Sequence, residues 1–486
     1  TCALPICYRS RDIPRLILEN NLYGIDIDTR AAQLASFALL MKAREDDRRL
    51  FSNPPKLNII ALQDSQPERL DAFSQDLANT GIAQTDLKEL LELFEHSSTF
   101  GSLIQVPEVF AKKLPDLESK LNTAFESGDI FSQQSAQELL PLVQQAKLLG
   151  KQYDAVIANP PYMGTKSLNN TLKTFLKKNY DGFEKDLFSA FMIRNLDFSK
   201  ANGQLGFMSP FVWMFISSYE NLRSYFIDHA TISSLIQLEY SGFDGATVPI
   251  CTFTLAKTHI TDFTGSYIRL SDFRGAENQA PKTLEAIKNP NCGWFFNTRP
   301  DDFKKVPGSP IAYWLNKKII ESFEKHLAIN KTAKTLAGMQ TGDNDLLLRR
   351  WSEVSKERSN FICLSRTEAL NSKAKWFPYN KGGEYRKWYG NKDFVVNWEN
   401  DGEFIKQKKA KDLEIGKITA NNSKCWNQSS YFRHGITWSK VSSGNPAFRY
   451  QFGSIFDIAG VSVFPNEERC IKFYLAALNS IYCTTI

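Results

Sequence analysis

The stretch YDAVIANPPY, residues 153–162, decides the fold, because a short apolar run in it leads directly into two prolines. Residues 156–158 form the kind of apolar run that is typical of a strand buried on both faces of a sheet. Pro160 and Pro161 cannot continue the hydrogen-bond ladder, and they hold the preceding residues extended. The pattern predicts a strand that ends in a rigid loop. In open α/β sheets, ligands bind outside such carboxyl ends of strands.

The loop after this strand carries groups suited to binding an amine. The exocyclic amine of a nucleobase is a poor nucleophile, because its lone pair is delocalised into the ring. The side-chain oxygen of Asn159 and the backbone oxygen of Pro160 can accept both amine protons, which frees the lone pair for attack. Tyr162 can stack on the base. The alternative is a simple Pro-Pro turn, which is how we interpret the Asn-Pro-Pro at residues 53–55, where no apolar strand precedes it.

The composition is that of an ordinary globular protein. Of the 486 residues, 42% are hydrophobic and 23% are charged. The net charge of +6 permits nucleic-acid binding without requiring it. The eight cysteines form no Cys-x-x-Cys pair and lie near no histidine cluster. We therefore expect no metal site, no disulfide framework and no membrane segment, and a cytoplasmic location fits best.

Both ends of the chain are atypical. Residues 1–7 resemble a non-native remnant more than a signal peptide, because they have no basic region and no long apolar core. The chain stops shortly after residues 478–480, inside a predicted helix. We therefore interpret it as an internal fragment of a larger protein.

Two strands are predicted upstream of the loop, and each is followed by acidic residues. Residues 22–28 (LYGIDID) form the first, with Asp28 or Thr29 as the cap of the next helix, and residues 57–62 form the second. An acid at such a strand end commonly binds the ribose hydroxyls of a nucleotide cofactor, and the alternative is a helix cap. Periodic apolar runs predict a helical insertion at residues 67–150.

These strands predict an α/β sheet. We expect residues 21 to about 275 to form a mostly parallel sheet, with Asp26, Asp64 and Asn159 together at the carboxyl ends of adjacent strands. Residues 235–238 and 249–255 are predicted as its last two strands. The helical insertion should lie outside this sheet and add no strand to it.

Residues 290–486 are predicted to form a second domain, since every tryptophan except Trp213 lies there. Segments of this domain mix cations, amides and aromatic rings, which suits phosphate contact and the reading of base edges. The candidate DNA-binding residues are Lys375, Trp376, Lys381, Arg386 and Lys387. The alternative is a β-rich domain with basic hairpins and no DNA contact.

The order of these motifs resembles the BREX phage-exclusion N6-adenine DNA methyltransferases, the PglX family, and their type IIG restriction-modification relatives. The resemblance runs from GIDID (residues 24–28) through NPPY (residues 159–162) to WFPYNKGG (residues 376–383) and covers nearly the whole chain. It implies a Rossmann-like class I methyltransferase sheet over residues 8–275 and an α+β target-recognition domain over residues 290–486. It further implies S-adenosylmethionine as the cofactor, double-stranded DNA as the substrate, and other phage-defence proteins as candidate partners.

The resemblance also implies roles for single residues. The catalytic positions are Asn159, Pro160, Pro161 and Tyr162; the cofactor-binding positions are Asp26, Ile27, Asp64 and Asp186; and the bases stack on Tyr162 and Phe243. The alternative interpretation of Phe243 is that it is a core residue. One departure matters, because the family's glycine-rich first motif and first strand should lie upstream of Asn21 and no such sequence is present. We therefore expect this fragment to bind the cofactor poorly.

Other functions stay open at this point. A type IIG enzyme would carry its nuclease in the missing part of the protein. A non-catalytic DNA-recognition subunit would keep the methyltransferase fold without the activity, and the intact motif at residues 159–162 counts against it. Methylation of RNA or of protein glutamine fits the aromatic, basic carboxyl-terminal domain less well.

Overall fold

The structure, a computed structural model, describes residues 8–243, 248–416, 425–440, 445–480 and 483. The chain divides into two units, Thr1–Trp314 and Leu315–Ile486. This boundary lies later than the one near residue 290 that the tryptophan content indicated, because Phe295–Thr298 pairs with the sheet of the first unit. No helix among the described residues is both long and apolar enough to cross a membrane.

The strands of the first unit form two sheets. They are β1 (Tyr23–Asp26), β2 (Asn58–Ala61), β3 (Tyr153–Ala158), β4 (Ser199–Pro210), β5 (Thr231–Gln237), β6 (Ile250–Ala256), β7 (Gly265–Arg269) and β8 (Phe295–Thr298). β1 and β2 pair in parallel as a two-stranded sheet. The other strands form a six-stranded sheet in the order β3-β4-β6-β5-β7-β8.

The six-stranded sheet is mixed, so the expectation of one mostly parallel sheet is wrong. Only β3–β4 and β5–β7 pair in parallel, whereas β4–β6, β5–β6 and β7–β8 are antiparallel. The physical reason is that β6 folds back and inserts between β4 and β5, and β1–β2 does not pair with β3. The predicted last two strands correspond to β5 and β6, and β7 and β8 follow them.

The helices of the first unit begin at polar caps where the sequence offers them. They are α1 (Ile13–Asn20), α2 (Thr29–Arg44), α3 (Leu70–Asp76), α4 (Gln84–Phe94), α5 (Ser97–Phe100), α6 (Glu108–Ala111), α7 (Leu114–Ser127), α8 (Ile130–Gly150), α9 (Asn170–Asn179), α10 (Leu187–Phe198), α11 (Glu220–His229) and α12 (Ala276–Lys288). Asp28 caps α2 by accepting the Arg30 N–H at 2.8 Å. Asp186 caps α10 in the same way.

Residues 67–150 form helices α3–α8 and contribute no strand, as their apolar periodicity predicts. Their buried leucines and phenylalanines form a core of their own. Ile25 of β1, Ile60 of β2 and Val156 of β3 pack against this core. The helical insertion therefore covers β1, β2 and β3 together, and it holds the two-stranded sheet beside β3 although no ladder joins them.

The second unit contains two four-stranded sheets and short helices, an α+β arrangement. One sheet has the order β10-β12-β11-β15 and the other β14-β13-β16-β9. The strands are β9 (Ala333–Leu336), β10 (Leu348–Arg350), β11 (Trp376–Asn380), β12 (Phe394–Asn397), β13 (Gly435–Thr437), β14 (Arg449–Gln451), β15 (Ile455–Phe456) and β16 (Ser462–Pro465). The helices are α13 (Lys317–Lys325), α14 (Ile329–Thr332), α15 (Asn344–Leu347), α16 (Arg366–Asn371), α17 (Glu399–Glu414) and α18 (Ile471–Asn479).

Candidate active site

The loop at the carboxyl end of β3 is held in one conformation by its own side chains. The Tyr162 hydroxyl donates to Oδ1 of Asn159 at 2.8 Å. Burial raises the pKa of Tyr162, so this hydroxyl stays protonated and remains a donor at neutral pH. Tyr162 as a whole is 40% exposed. The bond fixes the orientation of the Asn159 carboxamide, whose oxygen keeps a second lone pair for another donor.

Asp186 supports this loop from behind. Its Oδ1 accepts the backbone N–H of Met163 at 2.9 Å and the N–H of Phe188 at 3.3 Å. The first bond anchors the residue after Tyr162, and the second caps α10. Burial raises the pKa of the Asp186 carboxyl, against the opposing effect of these backbone hydrogen bonds. Asp186 therefore positions the loop.

A cavity of about 910 Å³ lies between β1 and β3. Asp26 and Ile27 line it from the end of β1, and residues 159–161 line it from the loop after β3. The structure thus brings together the acid and the asparagine that the sequence predicted to meet. Tyr23 and Tyr153 touch at the start of both strands, with ring centroids 5.3 Å apart. This contact shows that the two strands begin at the same end of the cavity.

The burial of one face of β3 differs from the expectation. Ile157 is 87% exposed and lines the cavity, so the expectation of a strand buried on both faces is wrong. The reason is that β3 is the outermost strand of the six-stranded sheet, and its free edge borders the cavity instead of another strand. Val156 is covered by both hydrophobic cores of the unit.

Asp64 and Asp186 are not among the residues that line this cavity. Both carboxylate oxygens of Asp64 are used by Ser98, which donates its backbone N–H and its hydroxyl at 2.7 Å each. Asp64 follows β2, which pairs in parallel with β1, so Asp64 and Asp26 lie at the carboxyl ends of adjacent strands, and the clustering of Asp64 with Asn159 stays a prediction. The end of β2 is instead fixed by Gln145, which bonds the backbone N–H of Gln63 at 2.6 Å and its C=O at 3.2 Å.

Phe243 follows β5 and is 39% exposed, which disfavours its interpretation as a core residue. It does not line the cavity between β1 and β3. Residues 244–246 of the same predicted segment lie outside the described residues. Its stacking role therefore stays a prediction.

Three residues of α10 also line the cavity, and the sequence did not indicate them as site residues. They are Phe191, Asn195 and Phe198, spaced four and three residues apart on one helix face, and this spacing after the loop is the signal that could have found them. Asn195 is 4% exposed, and its Nδ2 has no hydrogen-bond partner among the described residues. An unpaired buried amide is costly, so the cavity fits an occupant that accepts a hydrogen bond from Asn195.

The cavity also fits the nucleoside half of the expected cofactor. The carboxylate of Asp26 is exposed at the end of β1, and among the described residues only its Oδ1 is engaged, by the Asp28 N–H at 2.8 Å. Ile27 is 53% exposed beside it and offers an apolar surface to a ring. An acceptor, a donor and an apolar surface suit hydroxyls and a base.

The candidate DNA-binding residues of the second unit differ in how far they are engaged. Lys375 lies over the ring of Trp376 at 5.5 Å, and Lys381 over that of Phe394 at 5.3 Å. Arg386 is exposed, with a Glu384 carboxylate oxygen 3.9 Å away. Lys387 is engaged within the protein, because its ammonium donates to the backbone oxygen of Asn479 at 3.0 Å.

The resemblance inferred from the motifs is confirmed by known proteins. Residues 20–243 match the model of the Eco57I restriction-modification methylase family. The chain is 40% identical to the adenine-specific methyltransferase BrxX of Escherichia coli O9:H4 (strain HS), over 98% of this chain and 39% of that protein. It is 36% identical to the adenine-specific methyltransferase PglX of Lacticaseibacillus casei (strain Zhang), over 97% of this chain and 39% of that protein. The chain thus spans about two fifths of these relatives.

Proposed function

Because the chain is similar over nearly its whole length to adenine-specific methyltransferases of the BrxX and PglX type, we propose that the full-length protein is a site-specific DNA N6-adenine methyltransferase. It transfers a methyl group from S-adenosylmethionine to an adenine flipped out of duplex DNA, in phage defence of the BREX type. The observation that carries the proposal is Asn159, oriented by Tyr162 at the rim of the cavity that Asp26 lines.

Asn159 and Pro160 act on the target amine. The free lone pair of the Asn159 oxygen accepts a hydrogen bond from one N–H of the amine, and the Pro160 carbonyl accepts a hydrogen bond from the other. The nitrogen then becomes tetrahedral and regains its lone pair. S-adenosylmethionine, when bound, supplies an electrophilic methyl group. Donors and acceptors that are fixed before the reaction cost no reorganisation during it, which is the purpose of the Tyr162 hydroxyl bond.

The cavity between β1 and β3 holds the cofactor in this proposal. Asp26 accepts hydrogen bonds from the ribose hydroxyls, and Ile27 packs against the adenine ring. Asn195 donates to an acceptor in the same cavity. The described residues supply only this side of the site, so the methionyl half depends on the remainder of the full-length protein.

DNA is engaged by both units. A base in a duplex is hidden in the stack, and extruding it costs roughly a few kcal/mol. The exposed ring of Tyr162 offsets this cost by stacking, while Phe243 contributes a second surface. In the second unit, the cations at positions 375, 381 and 386 contact phosphates. An enzyme that methylates host DNA acts in the cytoplasm. Other phage-defence proteins are its candidate partners there.

Sequencing that detects N6-methyladenine in genomic DNA tests the proposal. Cells that make the full-length protein should show methylation at one short sequence, and Asn159→Ala should lose it. Asn179→Ala is the matched control, since Asn179 is exposed on α9 and its side chain only bonds the Phe175 carbonyl of the same helix. Wild-type methylation by the Asn159 variant would contradict the proposal. Loss of methylation in the control variant as well would point to misfolding rather than chemistry.

A further inference from the structure

The second unit contains a cavity of about 450 Å³ that none of the roles above uses. Its size lies within the usual range of small-ligand sites. Seven aromatic side chains contribute to its wall: Trp351, Phe361, Tyr379, Tyr389, Phe394, Tyr450 and Phe452. Several of them are exposed at its rim, including Trp351 at 57% and Tyr389 at 60%. Such a wall suits a flat, aromatic ligand.

The polar part of the wall is a buried amide network. Thr437 donates its hydroxyl to the Val461 carbonyl at 3.0 Å, so its oxygen serves as the acceptor for Nδ2 of Asn380 at 2.5 Å. The same Nδ2 donates to Oε1 of Gln451 at 2.8 Å. Because the carbonyl side of Gln451 faces Asn380, its Nε2 points elsewhere. The network therefore fixes the direction of the Gln451 amide.

The Nε2 of Gln451 has no hydrogen-bond partner among the described residues, although Gln451 is 3% exposed and lines the cavity. A buried donor without a partner is rare and costly. It therefore indicates a ligand that presents an acceptor, as the edge of every nucleobase does with a ring nitrogen or a carbonyl oxygen.

A cation stands beside the aromatic wall. The Lys392 ammonium lies 4.3 Å from the ring centroid of Tyr389 and 4.2 Å from that of Phe452. Lys392 lines the cavity and is half-buried. A positive charge at the edge of an aromatic slot suits the phosphate that accompanies a base.

The backbone that presents these groups is strained. Trp388, next to Tyr389, has a φ of 72°, in the left-handed region that a bulky residue rarely adopts, and Asn391 has a φ of 57°, which asparagine adopts more readily. Backbone strain of this kind persists only where the surrounding structure imposes it, and it is concentrated at functional sites. Here it places Tyr389 and Lys392 at the same cavity.

We infer that this cavity binds one unstacked nucleotide. The base stacks against the aromatic wall and accepts a hydrogen bond from Nε2 of Gln451, and its phosphate contacts Lys392. Insofar as DNA supplies this nucleotide, the inference rests on the proposed function. The recognition domain then takes one nucleotide out of the duplex and reads the edge of its base in the cavity, separately from the adenine that is methylated.

Binding of free nucleotides gives the first test. Each of the four deoxynucleoside 5′-monophosphates is titrated into the full-length protein and the dissociation constant is measured by calorimetry. Tyr389→Ala removes a stacking surface and should weaken binding roughly 5- to 150-fold. Tyr385→Ala is the matched control, because Tyr385 is also 60% exposed in the same segment but does not line the cavity. Lys392→Met should weaken the monophosphate and leave the affinity for the corresponding nucleoside unchanged.

A duplex gives the second test, and it distinguishes the two sources of the nucleotide. The fluorescent base 2-aminopurine is placed in turn at each position of the methylated sequence. Fluorescence that changes at a second position, and is lost in Tyr389→Ala but kept in Tyr162→Ala, assigns the site to DNA. Binding of free nucleotides without such a position assigns it to a free nucleotide.

The inference is overturned if neither free nucleotides nor a second duplex position respond to Tyr389→Ala, or if Tyr385→Ala acts equally. Failure of this inference can be distinguished from failure of the proposed function. A protein that methylates no adenine can still bind monophosphates in a manner that depends on Tyr389. Conversely, loss of methylation in Asn159→Ala says nothing about nucleotide binding at Tyr389. Only the titrations decide whether that binding occurs.

Discussion

Replacement of Asp186 tests whether this carboxylate holds the catalytic loop or lines the cofactor pocket, as the family resemblance implied. Asp186→Ala removes the cap of α10, which contributes about 1 kcal/mol, and the bond to the Met163 N–H, which contributes roughly 1.5–3 kcal/mol with a charged acceptor. Burial disfavours the ionised carboxylate, as its raised pKa indicates, so part of this loss is offset. The two contributions sum to about 2.5–4 kcal/mol, and the offset brings the expected net loss to about 2 kcal/mol.

Such a loss lowers the Tm of the first unit by roughly 3 °C, since this unit spans 314 residues and the entropy of unfolding is about 2.1 cal/mol/K per residue. Asp186→Asn keeps an acceptor oxygen in the same place and should retain most of the stability. Differential scanning fluorimetry and the KM for S-adenosylmethionine measure the two effects. An unchanged Tm in Asp186→Ala, together with a raised KM in Asp186→Asn, would refute the positioning role and return Asp186 to the cofactor site.

Three further results are expected. Gln145→Leu should lower the free energy of unfolding by about 1–3 kcal/mol, as measured by denaturant unfolding, because the Gln63 N–H loses its partner while the Gln63 C=O keeps its hydrogen bond from the Ser97 hydroxyl. Lys381→Ala with Arg386→Ala should flatten the salt dependence of DNA affinity by about one unit of slope per phosphate contact, as measured by anisotropy titrations. The pKa of Asp186 is raised in the folded state, so this carboxyl binds more protons when the protein is folded. Its contribution to stability therefore falls as the pH rises above the ordinary carboxyl pKa. Asp186→Asn should remove this pH dependence from a series of Tm measurements.

The parts of the site that local chemistry dictates could be predicted from the sequence. Two consecutive prolines supply no backbone N–H to a ladder, so the end of β3 and the position of Asn159 followed directly. Asp28 caps α2 because it precedes an apolar periodic run. The helical insertion at residues 67–150 was visible from periodicity alone.

The parts that depend on distant residues could not be predicted. Asp64 is engaged by Ser98, and Gln63 by Gln145 from a helix 82 positions away, which no local pattern reveals. The mixed sheet arises because β6 inserts between β4 and β5, and a strand's own residues do not determine its neighbours. The sequence also predicts a buried Ile157, although this residue is exposed, because an apolar strand has the same sequence pattern at the centre and at the edge of a sheet.

The central claim is that the Asn159 oxygen orients the amine that is methylated. The most direct measurement is the single-turnover rate of methyl transfer to a duplex with the recognised sequence, for the wild type, Asn159→Leu and Asn159→Asp, with DNA affinity measured in parallel. Loss of a preorganised polar group should slow Asn159→Leu by roughly 10²- to 10³-fold at unchanged DNA affinity, whereas Asn159→Asp keeps an acceptor and retains much more of the rate. Transfer by Asn159→Leu at the wild-type rate would contradict the account.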